Sequence, residues 1–146
     1  MSKIILVGES NPYGGTDEFA LYPVPDGCSG HRLCCLILGM RRSHYLETFV
    51  RSNLCTGPWR IRDARKRAVE LLRENLGGKF ILFGRKVCDG FGVPFVPFTV
   101  ADGILLRLPH PSGLNRMWQE DGAVDKARRA VIAFAPEVAP LIGVDS

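Results

Sequence analysis

The sequence has no apolar run approaching the roughly eighteen residues that a membrane-spanning helix requires, and no internal repeat, low-complexity tract or linker-like stretch. Those absences exclude a helical membrane span and a repeat array, and they predict a chain with no membrane partner. No signal-peptide pattern leads it either, since MSKIILVGES passes straight into a strand-like run. Cysteine occurs in an odd number, as Cys28, Cys34, Cys35, Cys55 and Cys88, which excludes a fully paired disulfide framework. Reduced thiols in a cytoplasmic compartment are expected. Charge imbalance is small: Lys plus Arg number 19 against 15 Asp plus Glu. The octapeptide RIRDARKR, residues 60–67, carries the whole net charge of +4, so the rest of the chain sums to zero. A helix bearing that run is read as a solvated face or as a contact for an acidic partner.

What is present suits one domain, 1–146, with its own core and expected as a monomer. KIILVG (3–8), KFILFG (79–84) and GILLRL (103–108) are short, almost wholly apolar runs next to Gly, the pattern of strands buried on both faces. Helical patterns lie between and after them: SGHRLCCLILG with a Ser29 cap and a Gly39 stop, SHYLETFV, RDARKRAVELLRENLGG and DGAVDKARRAVIAFAPE. In the third of these, Ile61, Ala64, Ala68, Leu71, Leu72 and Leu76 form an apolar stripe, and Gly77 and Gly78 supply the stop. Strands alternating with helices predict an α/β fold, a three-layer sandwich whose short, mostly parallel central sheet is flanked by helices. In such folds ligands sit beyond the carboxyl ends of the strands. The two most unusual loops, GESNPYGG and LPHPSGLNRMW, both fall there.

Those two loops carry a resemblance. Asn11-Pro12 after the first strand, and Pro111-Ser112-Gly113-Leu114 with Arg116 after the last, are similar to the two signature motifs of the uracil-DNA glycosylase superfamily, in its mismatch-specific (thymine/uracil) branch. His110, heading the second motif, resembles the classical and thermophilic branches. The order of the remaining parts matches over most of the chain: the aromatic-Pro segment FALYP, a helix, a polar stretch at Asn53, the basic helix, KFILFG and the second motif. The first motif holds one residue more between Gly8 and Asn11-Pro12 than the family's usual spacing.

The resemblance implies a uracil-DNA glycosylase-like fold and a hydrolase that cleaves the N-glycosidic bond of uracil, or of a related damaged or modified pyrimidine, after flipping the base out of DNA. It implies no metal and no organic cofactor. The chemistry asks for a placed water, a group that stabilises the departing base anion, and contacts to phosphate. Asn11 is the candidate to orient the water, with Glu9 in its place if the longer loop shifts the register. His110 is the candidate donor to the base oxygen on which charge develops. Tyr22, then Phe19, are candidates to stack on the base, and Tyr13 to line the pocket beside its C5 position. Ser112 and Gly113 would meet phosphate, while Leu114 and Arg116 would fill the vacated stack. No residue within KFILFG suits the role of reading the base edge. Two alternatives stay open: a catalytically silent module of the same fold that binds a nucleotide or modified base, and a base-modifying enzyme of a nucleic-acid hypermodification pathway.

Plainer readings stand beside these. His110 can serve as an ordinary loop histidine, Asn11 as a turn residue before Pro, Tyr22 as a core aromatic, and Leu114 with Arg116 as the first turn of a helix through Trp118. Cys28, His31 and Cys34 have ligand-like spacing, but no cysteine precedes the first motif and Cys34 and Cys35 point differently in a helical pattern, so the cysteines are read as small buried thiols without a metal. His44 carries no assigned role.

Overall fold

The computed structural model describes residues 3–10 and 17–144. Asn11 and Tyr13, two of the candidate site residues, lie outside the described residues. Five strands form one sheet: β1 (Ile4–Ser10), β2 (Val50–Cys55), β3 (Lys79–Phe83), β4 (Thr99–Ala101) and β5 (Leu105–Leu108), in the order β2-β1-β3-β5-β4. All pairings are parallel except the edge hairpin of β4 with β5. The helices are α1 (Ser29–His31), which runs on as a wider π-helical segment over Arg32–Ile37, α2 (Arg42–Thr48), α3 (Ile61–Glu74), α4 (Arg85–Gly90) and α5 (Ala123–Phe134). The expected α/β class and mostly parallel sheet with flanking helices are what the chain forms.

The apolar strands follow from two-sided burial. Ile4 and Leu6 of β1 pack on one face with the π-helical segment, Tyr45 of α2 and Ala127, Val131 and Phe134 of α5. Ile5 and Val7 point to the other face, against Ala64, Ala68 and Leu71 of α3 and Val87 and Cys88 of α4. Strand β3 repeats the division, with Ile81 and Phe83 on the first face and Phe80 and Leu82 on the second. Alternation of period two thus reads as an unbroken apolar run because both sides are core.

Several expectations need correction. Two strands besides the three expected are present, β2 and β4. Helix α3 ends at Glu74, so Leu76 lies beyond it and is 87% exposed, and Ile61 at its start faces water as well. The stripe therefore narrows to Ala64, Ala68 and Leu71, with Leu72 at its margin. Ser29 does not cap the first helix. Cys28 does, its Sγ accepting the His31 N–H at 3.4 Å. The basic run is only partly a solvated face. Arg67 is tied to Asp17, Glu70 and Glu74, each at 3.2 Å.

Candidate active site

The order β2-β1-β3 means that the chain leaves β1, goes to one side for β2, then returns past β1 for β3, which opens a crevice at the carboxyl ends. A pocket of about 290 Å³ lies at that end, lined by Gly8, Glu9 and Ser10 of β1, Asn53 of β2, Cys28 to Gly30 at the start of α1, His110 after β5, and the segment from Phe19 to Val24. Two glycines make room for it. In the parallel register Gly8 faces Asn53, and a Cβ on Gly8 would come within 2.5 Å of Asn53 Oδ1. Gly84, with φ +93°, sits beneath His110, where a Cβ would stand 3.1 Å from that of the histidine.

The aromatic wall is fixed by its backbone. Leu21 adopts a left-handed φ of 48°, and its carbonyl accepts the Tyr45 hydroxyl at 2.7 Å. The carbonyls of Glu18 and Ala20 accept Arg51 Nη1 at 3.0 and 2.8 Å, and Tyr22 O accepts the Cys28 thiol. Phe19 and Tyr22 meet edge to face with centroids 6.0 Å apart, and the Arg51 guanidinium lies 5.4 Å from the Tyr22 ring. Gly30 lets α1 close against this segment, since a Cβ there would overlap the Tyr22 carbonyl.

His110 is held more tightly still. Its Nδ1 accepts the Ser112 N–H at 3.1 Å. A ring nitrogen that accepts a backbone N–H carries no proton, so the neutral imidazole must hold its proton on Nε2. Burial pushes the His110 pKa below its ordinary value and the Lys86 charge adds to that, while Glu9 opposes it. The His110 carbonyl accepts both Asn115 Nδ2 at 2.9 Å and Trp118 Nε1 at 2.8 Å, and Arg32 Nε reaches the Pro111 carbonyl at 3.1 Å. The motif's last residues are therefore what fixes its first.

No family model, curated protein or solved structure matches this chain. A role for the pocket has to come from its own geometry and chemistry.

Of the candidate residues, Glu9, Phe19, Tyr22 and His110 come together in the pocket. Ser112, Gly113, Leu114 and Arg116 form the adjoining loop. Ser112 Oγ accepts the Leu114 N–H at 3.2 Å, and Leu114 itself is 92% exposed, an apolar side chain set out into water. Arg116 opens a 3-10 turn, Arg116–Gln119, capped by Asn115, as expected of it, whereas Leu114 precedes the cap and lies outside the turn. The Cys28, His31 and Cys34 spacing gathers no ligand set. His31 Nδ1 accepts the Gly27 N–H, the Cys34 thiol donates to Met40 O, and no metal-holding group of three His, Cys, Asp or Glu occurs among the described residues.

Asn53 is the residue that sequence reasoning missed. The sequence marks it only as part of a polar stretch, whereas it sits buried in β2 with its side chain on the pocket. Among the described residues its carboxamide has no hydrogen-bond partner, although its backbone N–H donates to Asp17 Oδ1. The available signal was VRSNLC, six residues closed by the Thr-Gly-Pro turn, the length and punctuation of a strand.

Proposed function

We propose that this protein is a DNA glycosylase of uracil-DNA glycosylase-like fold, which hydrolyses the bond between deoxyribose and uracil or a related damaged or modified pyrimidine. The observation that carries the reading is the state of His110: a neutral imidazole, with its one N–H on Nε2, on the pocket that also holds Glu9 and the carboxamide of Asn53.

Cleavage breaks the C1′–N1 bond, with electrons passing to the base, and forms a C1′–O bond to water. Negative charge then grows on the base carbonyl and positive charge on the sugar. A fixed neutral donor aimed at such an oxygen is worth about 100- to 1000-fold in rate. His110 Nε2–H supplies it without the desolvation cost that a buried imidazolium would carry. The Glu9 carboxylate faces the cationic sugar and takes the proton of the attacking water, and the released base anion is protonated from solvent. Asn53 offers both a donor and an acceptor, so one carboxamide reads the polar edge of a pyrimidine. Tyr22 and Phe19 give the ring an apolar surface, and exposed Leu114 enters the stack that the flipped base leaves, with Arg116 beside it.

The test is alkali-labile scission of a uracil-containing oligonucleotide. Wild-type protein should cut, and His110→Ala should cut at least about 100-fold more slowly. Undiminished cutting by His110→Ala refutes the site. Tight binding of the same DNA with no release from any pyrimidine lesion would instead assign the chain to a silent base-binding module.

A further inference from the structure

Cations on this protein are held in different ways. Arg67, Arg42 and Arg129 are neutralised by carboxylates at 2.8 to 3.2 Å. Arg85 and Lys86, the first residues of α4, are exposed and make no ion pair among the described residues, although Asp89 follows on the same helix and Asp63 lies on α3. They are held by rings instead. The Arg85 guanidinium lies 5.0 Å from the centroid of Phe95, and Lys86 Nζ lies 6.0 Å from that of Trp59. A ring face orients a cation without cancelling its charge, so both side chains are ordered yet keep a full positive charge for an outside anion.

Their place is as specific as their state. They directly follow Gly84, the residue beneath His110 whose Cβ position is 3.8 Å from Glu9 Oε1. Trp59 and Phe95 pack on the α3–α4 face of the sheet, whereas the Leu114 loop is anchored to the other face through Arg32 and Trp118. At the carboxyl ends of the strands the exposed Leu114 loop thus belongs to one face of the sheet and the two cations to the other.

We propose that Arg85 and Lys86, each seated on an aromatic ring, form a two-phosphate clamp on the DNA strand that carries the target nucleotide, across the pocket from Leu114. The clamp rests on the glycosylase reading and deepens it, by giving the strand a fixed course over the carboxyl ends of the sheet. It also separates two basic features, because the Arg65 and Lys66 side of α3 has no part in it.

The test measures binding of the full chain to a fluorescent duplex bearing one abasic-site analogue, which cannot be cleaved, over a range of salt. An Arg85→Gln, Lys86→Gln variant should reduce the slope of log affinity against log salt by about 1.8, the release expected for two duplex phosphates. An Arg65→Gln, Lys66→Gln variant should leave that slope unchanged. An unaltered slope in the first variant, or an equal loss in both, overturns the clamp. Gln retains an aliphatic stem over each ring, and an unchanged urea midpoint shows that a lost slope is not lost folding. A reduced slope with no base release by the wild type would keep the clamp and refute the glycosylase. Base release with an unaltered slope would do the reverse.

Discussion

Two side chains converge on the carbonyl of His110, and their removal gives a quantitative test of how the imidazole is held. Asn115 Nδ2 at 2.9 Å and Trp118 Nε1 at 2.8 Å fill both acceptor positions of that oxygen. Trp118→Phe deletes one donor and keeps a ring against Phe98, whose centroid is 6.3 Å from that of Trp118. Asn115→Asp deletes the other while keeping an Oδ acceptor for the Met117 N–H, which Asn115 caps at 3.1 Å. Each single change should cost at least about 1 kcal/mol, the net worth of one hydrogen bond. After both changes the carbonyl has no side-chain donor, and the desolvation penalty of an unmade bond adds about 1 to 3 kcal/mol. The double variant should therefore exceed the sum of the singles by about 1 kcal/mol or more in urea denaturation. A histidine freed by that amount loses about tenfold in kcat. The acid limb of the rate profile should stay in place, because Ser112 N–H still fixes the tautomer. Additive stabilities together with an unchanged kcat would refute the idea that these two donors position His110.

Other expectations are as definite. On the proposed mechanism His110 acts in its neutral form, and burial lowers its pKa from the ordinary 6.5, so its protonation should not limit activity at neutral pH and should do so only beneath the lowered value. Glu9→Gln removes the influence that raises that pKa and should lower the His110 titration further, while Lys86→Gln should raise it. The His110 imidazole resonances in an NMR pH titration read both, independently of the rate that is lost with Glu9. Gly84→Ala places a Cβ 3.1 Å from that of His110 at a φ of +93°, and should cost about 1 to 3 kcal/mol in thermal unfolding along with most of the activity. Leu114→Ala, at a position 92% exposed, should leave the melting temperature within about a degree yet slow cleavage of duplex more than of single strands, where no stack must be filled.

The parts of this fold that were legible in the sequence are those whose burial leaves a periodic trace. Strands β1 and β3 are apolar on both sides, so their composition names them whatever their neighbours. Strand β2 left no such trace, because it is an edge and its polar residues have other duties: Arg51 holds the aromatic turn, Ser52 donates to Asp17, and Asn53 faces the pocket. Missing β2 as a strand meant missing Asn53 as a site residue. The His110 loop was legible by its motif, but the reason for Asn115 and Trp118 was not, since both act on a backbone carbonyl that no side-chain pattern records. Arg67 misled for the opposite reason. It sits in a run of like charges, and only the folded chain brings Asp17 to it from 50 residues away.

Asp17 shows how protection of the sheet and construction of the pocket become one set of contacts. An exposed edge strand presents unpaired N–H groups to any second strand. Here Asp17 Oδ1 accepts the Asn53 N–H at 3.3 Å, and Oδ2 accepts both the Ser52 hydroxyl at 2.9 Å and Arg67 Nη2 from α3 at 3.2 Å. That occupies the outer edge of β2 at the register where Asn53 turns its side chain toward the pocket. The same anchor fixes the turn Asp17–Phe19, and so sets the start of the aromatic wall. The basic octapeptide therefore contributes to the pocket from within, through Arg67, and the charge left for an outside polyanion is carried by residues that no carboxylate has neutralised.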